Sequence, residues 1–95
     1  MTAELSEDAR AIAGGLFGSP IPVGESARFE RPQDITARAA EALVELVEAG
    51  ILEKTVTSHA VCYRPLVDCS EHYDWLRANM HRGVGRFPIM VGGRP

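Results

Sequence analysis

The sequence has little of what marks a membrane-spanning, secreted or disulfide-linked protein. Its apolar runs are a few residues long, whereas a membrane-spanning helix needs about 20. The first residues, Met1 to Leu5, are acidic and lack the basic and apolar blocks of a secretory signal. Two cysteines are too few for a disulfide scaffold. We therefore expect a cytoplasmic protein that does not associate with a membrane.

Motifs for catalysis are also missing. The chain has no glycine-rich phosphate loop followed by Lys-Ser or Lys-Thr, and no nucleophile elbow. Its histidines and cysteines have no spacing that joins them into a nucleophile and a base. A chain of 95 residues forms one domain, whose small core can scarcely enclose a substrate pocket. We expect a protein that is not an enzyme and uses no cofactor.

Basic residues are unevenly distributed, and Lys54 is the only lysine beside nine arginines. Residues 1–58 hold ten acids and five bases, a net charge of −5. Residues 59–95 hold three acids and five bases, a net charge of +2. An acidic surface is therefore expected from the first part of the chain and a basic surface from the second.

Hydrophobic periodicity predicts three helices. The first covers residues 5–17 and is followed by a loop, residues 18–26, rich in Gly and Pro. The second covers residues 33–49 and ends at Gly50. The third covers residues 69–82. The residues expected to face inward are Ala9, Ile12, Ala13, Leu16 and Phe17 in the first helix, Ile35, Ala39, Leu43, Leu46 and Val47 in the second, and Tyr73, Leu76 and Met80 in the third.

Local signals mark where these helices begin and end. Ser6 is a good N-cap for the first helix, and Pro32 can open the second. Asp68 and Glu71 resemble a capping box at the start of the third helix, which Gly83 can end.

The segments between the second and third helices predict a β-hairpin. Residues 51–57 and 60–67 are rich in β-branched and aromatic side chains and flank a short polar turn. Residues 27–30 form a short extended piece, and the glycine-flanked tail, residues 83–95, is expected to bury itself as an edge strand or to dock on a partner. The sequence predicts a single α+β domain over residues 1–95.

The segment Leu46-Val47-Glu48-Ala49-Gly50-Ile51-Leu52 resembles the passage from recognition helix to wing in winged helix-turn-helix proteins. With residues 39–54 and the hairpin that follows them, the resemblance covers about a third of the chain. It implies a small winged-helix-like domain in which the exposed face of the second helix enters the major groove of DNA.

The charge on that helix face favours a different partner. Its residues repeat at alternating four- and three-residue steps, and four of the five are acidic. DNA binding depends largely on Lys and Arg that displace counterions from phosphates, so this face suits a basic protein better than DNA. The alternative is an ordinary solvated face. The predicted partner-binding residues are Asp34, Arg38, Glu41, Glu45 and Glu48.

Two functions therefore remain. The preferred one is a small interaction protein whose acidic helix face occupies the nucleic-acid-binding groove of another protein; in size and charge the chain resembles phage-encoded inhibitors of host defence, including anti-CRISPR proteins. The alternative is a winged-helix DNA-binding transcriptional regulator that dimerises through its third helix. Its candidate nucleic-acid contacts are arginines in the C-terminal part, which are otherwise ordinary surface charge: Arg64, Arg77, Arg82 and Arg86.

A mirrored pair of Cys and His residues is a weaker candidate for a metal site. His59-x-x-Cys62 and Cys69-x-x-His72 supply the ligand types of a structural zinc site. Six residues separate the two cysteines, which is shorter than the usual finger spacing. Since free cysteines are often buried without any metal, we expect no metal here.

Overall fold

The computed structural model describes residues 5–18, 27–29 and 31–91 and confirms the α+β class. It contains three helices, α1 (Glu7–Phe17), α2 (Ala37–Glu48) and α3 (Ser70–Asn79), and three strands, β1 (Ala27–Phe29), β2 (Leu52–Val56) and β3 (Val61–Pro65), in the chain order α1-β1-α2-β2-β3-α3. Two single 3-10 turns, Pro32–Asp34 and Met80–Arg82, lie before α2 and after α3. None of the described helices is long and apolar enough to cross a membrane.

The three strands form one antiparallel sheet in the order β1-β3-β2. The predicted hairpin is β2 and β3, in which Val56 pairs with Val61 and Leu52 with Pro65. Thr57 holds its turn, because the Thr57 hydroxyl oxygen accepts a hydrogen bond from the amide of Ala60 at 2.9 Å. The predicted extended piece is β1, which adds to the free edge of β3.

One core cluster lies between α1, α2 and the inner face of the sheet. The predicted inward faces of α1 and α2 are buried in it, with Leu16 and Val47 packed at its margin. The sheet contributes the buried side chains of Leu52, Val61 and Tyr63 to this core. The periodicity therefore identified the apolar faces of the first two helices correctly.

Helix α2 begins after Thr36, its N-cap, whose hydroxyl oxygen accepts a hydrogen bond from the Ala39 amide at 3.2 Å. The passage from the end of α2 to the hairpin is as the sequence predicted. After Glu48 the chain turns at Gly50, whose φ of +78° is a conformation that side chains other than glycine rarely adopt, and β2 begins at Leu52. The winged-helix assignment itself stays a prediction.

The predicted start of α2 at Gln33 is wrong by four residues. Pro32 opens a 3-10 turn instead, and Ile35 then adopts an extended conformation with φ −87° and ψ 132°. Ile35 forms an isolated antiparallel bridge with Met90, and this pairing with the distant tail keeps residues 34–36 out of the helix. Ile35 is nonetheless buried, as expected.

The start and the inner face of α3 also differ from the prediction. Asp68 and Glu71 do not form a capping box: Asp68 accepts hydrogen bonds from the amide and hydroxyl of Ser70, and no side chain caps the helix. The buried face predicted on α3 is only partly observed: Tyr73 and Leu76 are half-buried against α1, whereas Met80 is 51% exposed. The helix contacts the domain along one side, against α1.

Glycines allow α1 to approach the start of α3 closely. A Cβ added at Gly14 would lie 2.5 Å from the carbonyl oxygen of His72, and one added at Gly18 would collide with the Cβ of Tyr73. The two glycines are four residues apart, so they lie on the same side of the chain as it leaves α1. Their missing side chains set the distance between the two elements.

The C-terminal segment, residues 83–91, packs back on the domain without forming the predicted edge strand. The backbone amide of Thr36 donates to the carbonyl of Ile89 at 2.8 Å, and the Thr36 hydroxyl donates to the carbonyl of Pro88 at 2.8 Å. Phe87, Ile89 and Met90 pack against the core. Residues 92–95, and residues 19–26 of the predicted loop, lie outside the described part of the chain.

Candidate protein-binding face

The exposed surface of α2 is set by the burial of its opposite side. Ala39, Leu43 and Leu46 face the core at four- and three-residue spacing, because α2 has an apolar stripe of helical period. The most outward residues follow the same spacing, and we call them the outer face of α2: Ala37, Glu41, Val44 and Glu48.

Arg38, the only basic residue of α2, is held by α1. Its guanidinium donates two hydrogen bonds to the carboxylate of Asp8, at 2.6 and 2.9 Å, and stacks over the ring of Phe87 at 4.4 Å. The hydrogen bond from Arg38 lowers the pKa of Asp8, so this carboxylate is ionised and neutralises the guanidinium. Arg38 therefore contributes little positive charge to the surface of α2.

Glu45 caps α1 and is only partly available for a partner. Its carboxylate accepts a hydrogen bond from the Ser6 amide at 3.0 Å and another from the Ser6 hydroxyl at 2.7 Å. The Ser6 hydroxyl in turn accepts from the amide of Ala9, as its predicted N-cap role requires. A carboxylate at this end of α1 also interacts favourably with the helix dipole.

We expect Glu45→Ala to lower the free energy of unfolding by about 1 kcal/mol, because the two hydrogen bonds that Ser6 donates to the Glu45 carboxylate are lost. Glu41→Ala, one turn earlier on the same helix, is the matched control and should change it by less than about 0.5 kcal/mol. Urea unfolding monitored by circular dichroism measures both. Equal values for the two variants would mean that Glu45 does not hold α1.

Asp34 does not belong to the helix. It lies in the 3-10 turn before α2, where its carboxylate pairs with Arg31 at 2.9 Å and its carbonyl accepts from the amide of Val91. Of the five predicted residues, three are thus engaged by other parts of the chain. The structure leaves Glu41 and Glu48 as the exposed carboxylates of the outer face.

Val44 was missed by the sequence interpretation. It lies between Glu41 and Glu48 on the outer face and is 50% exposed. Its position three residues after Glu41 and four before Glu48 was a usable signal, because residues at these spacings share a helix face. The face therefore combines two carboxylates with an exposed apolar side chain.

Comparisons with known proteins identify no relative. No protein-family model, no curated protein and no solved structure matches the chain.

The arginines of the alternative interpretation are partly neutralised. Arg64 pairs with Glu53 across the hairpin at 2.6 Å, and Arg82 pairs with Glu7 of α1 at 2.8 Å. Arg77 lies 5.8 Å from the ring centre of Tyr73. Arg86 is exposed at the edge of an apolar groove between α1 and α3. Two of the four arginines therefore have carboxylate partners within the domain.

The four metal-ligand candidates lie in different environments. His59 is exposed in the hairpin turn, Cys62 is half-buried on β3, and Cys69 is buried before α3, where its thiol donates to the carbonyl of Val67. Burial, with a further contribution from Asp68, raises the pKa of the Cys69 thiol, which disfavours the thiolate that metals bind. Within residues 5–18, 27–29 and 31–91, no three His, Cys, Asp or Glu residues are grouped to hold a metal ion.

His72, the fourth candidate, lies against α1. Its Nδ1 is buried and has no hydrogen-bond partner among the described residues. Burial lowers the pKa of His72, and the nearby charge of Arg10 lowers it further, while Glu71 on its own helix opposes the shift. Arg10 is itself fixed over the ring of Trp75 at 4.1 Å. The imidazole is therefore neutral in the folded protein at neutral pH.

We expect the protein to lose stability as the pH falls below the ordinary His pKa of 6.5. The lowered pKa means that the unfolded chain binds a proton more readily than the folded one, so the stabilisation is complete above pH 6.5 and declines as the pH falls through the pKa of the folded state. Thermal melts between pH 7.5 and 5 test this.

His72→Leu should flatten the dependence of Tm on pH in this range, whereas the exposed His81→Leu should leave it unchanged. An equally steep dependence in His72→Leu and in the unmodified protein would assign the effect to other groups.

Proposed function

We propose that this protein is a small interaction protein that binds a basic surface of another protein through the outer face of α2. The observation that carries the proposal is the charge of that face. Glu41 and Glu48 are exposed beside Val44, and Arg38, the cation of the helix, is neutralised by Asp8. An apolar centre with a charged margin is the usual composition of a protein interface.

The same geometry disfavours DNA as the partner of this face. A helix that enters the major groove approaches phosphates on both sides, and exposed carboxylates there are repelled. The C-terminal segment also lies at the N-terminus of α2, where the carbonyl of Pro88 accepts from Thr36. Grooves that bind nucleic acid are basic, and the carboxylates of Glu41 and Glu48 complement that charge. We therefore propose that the partner is a nucleic-acid-binding protein and that this protein blocks the binding of nucleic acid in the partner's groove.

The experiment that separates the two functions is affinity capture from the native host with and without nuclease treatment, read by mass spectrometry. We expect to capture a basic protein that remains bound after nuclease treatment. The Glu41→Lys/Glu48→Lys variant should no longer capture this protein. Glu48 replaces Glu45 in this pair because Glu45 holds α1 through Ser6.

Capture only of material that disappears with nuclease would contradict the proposal and indicate the DNA-binding alternative. In that case Glu41→Lys/Glu48→Lys should keep or raise the affinity for duplex DNA, while Arg82→Ala/Arg86→Ala should lower it. Since Arg82 pairs with Glu7, the folded state of the second variant must be checked by circular dichroism.

A further inference from the structure

An apolar groove lies directly beside the outer face of α2. It runs between α2 and the hairpin, and Val44, Val47 and Tyr63 form its apolar lining. Glu48 stands on the helix side and Lys54 on the hairpin side. Tyr63 is only 5% exposed and is packed edge-on against Phe29, with ring centres 5.8 Å apart, so that side of the groove is rigid.

The size of the groove limits what can occupy it. Its volume is about 200 Å³. This is below the roughly 300 Å³ at which pockets for drug-sized ligands begin, but it is enough for one large apolar side chain. A side chain offered by a partner fits better than a free small molecule.

The charges around the groove select the chemistry of that partner. Glu48 and Lys54 line it, and Glu41 lies seven residues before Glu48 on the same helix, about 10 Å away along the axis. The groove and the outer face together therefore present two carboxylates against one ammonium group. Two carboxylates at this spacing complement two cations about two helical turns apart in a bound segment. The second groove, between α1 and α3, has about 190 Å³, and its one charged lining residue is Arg86, so it offers no carboxylate to a basic partner.

We propose that the groove between α2 and the hairpin receives one large apolar side chain from a basic segment of the partner, while cations of that segment pair with Glu41 and Glu48. This inference rests on the proposed function, which it deepens by naming the anchor. Interfaces often concentrate their affinity in one such buried side chain surrounded by weaker polar contacts.

Defined peptides test the anchor with the full-length protein labelled with ¹⁵N. A 12-residue peptide of Leu and Lys should shift the amide signals of Val44, Val47 and Tyr63. A matched peptide of Ser and Lys should bind about tenfold more weakly, because it has charge and no anchor, and a peptide of Leu and Glu should not bind.

Val44→Gln makes one of the three apolar residues of the groove polar, and the fold should tolerate it because Val44 is half-exposed. It should reduce the affinity for the Leu/Lys peptide to that for the Ser/Lys peptide. Val67→Gln is the matched control, since Val67 is 45% exposed and does not line the groove. It should leave both affinities unchanged.

The outcomes separate the anchor from the acidic face. If the Leu/Lys and Ser/Lys peptides bind with equal affinity and shift the amide signals of Glu41 and Glu48, the proposed apolar anchor is wrong. The proposed function is then unaffected. Shifts confined to the groove between α1 and α3 would also overturn the anchor. If neither cationic peptide shifts the signals of α2, the anchor and the acidic binding face are both wrong.

Discussion

Gly14→Ala is expected to lower the free energy of unfolding by about 2–3 kcal/mol, the cost of overpacking at a rigid contact. The added Cβ would lie 2.5 Å from the carbonyl oxygen of His72, and a backbone atom cannot rotate away as a side chain can. Helices α1 and α3 must then move apart. For a chain of this size the Tm should fall by roughly 10–20 °C.

Gly15→Ala is the matched control, because it makes the same change in the same helix one residue later. An added Cβ at Gly15 meets a methyl of Leu76 at 3.6 Å, an ordinary contact. Alanine also forms helices better than glycine, so Gly15→Ala should raise the free energy of unfolding by about 0.5–1 kcal/mol. Thermal and urea unfolding of both variants measure the difference. If Gly14→Ala unfolds like Gly15→Ala, the close approach of α1 and α3 is incorrect.

Thr36→Val should lower the free energy of unfolding by about 2 kcal/mol, the sum of a lost N-cap and a lost hydrogen bond. The Thr36 hydroxyl accepts from the Ala39 amide at 3.2 Å and donates to the Pro88 carbonyl at 2.8 Å. Valine has the same shape and makes neither contact. The loss should also release the C-terminal segment, so the Val91 amide, which donates to Asp34, should exchange with solvent faster.

Thr36→Ser keeps the hydroxyl and should restore the free energy of unfolding to within about 0.5 kcal/mol of the unmodified protein. Native-state hydrogen exchange then distinguishes the two roles of the residue. Faster exchange along the first turn of α2 with unchanged exchange at Val91 would mean that Thr36 caps the helix without holding the C-terminal segment.

Local patterns in the sequence were sufficient for most of the secondary structure. The apolar period of residues 9–17 and 39–47 identified the buried faces of α1 and α2, and two segments rich in β-branched and aromatic residues around a polar turn identified the hairpin. These features depend on neighbours within a few residues, which a sequence displays directly. The α+β class followed from them.

The errors arose where distant segments meet. Residues 33–36 were predicted as the first turn of the second helix, but Gln33 and Asp34 lie in a 3-10 turn and Ile35 is held extended by its bridge with Met90. Glu41 and Glu48 are exposed on α2, yet contacts with Ser6 and Asp8 of the α1 region engage Glu45 and Arg38. Pairings across 30 to 40 residues leave no period in the sequence. The four-residue spacing of Gly14 and Gly18 did carry a signal for close packing, because it places both glycines on the side of the chain that meets α3.

The most direct test of the acidic face is the affinity of the captured partner for two charge-reversed variants. Glu41→Lys/Glu48→Lys changes the outer face of α2, and Glu71→Lys/Asp74→Lys makes the same change of charge at exposed positions of α3. Calorimetric titration should show the first variant weakened by about 30-fold or more and the second within about threefold of the unmodified protein. Equal losses would show that net charge alone governs binding, and unchanged affinity in the first variant would contradict the assignment of α2 as the binding face.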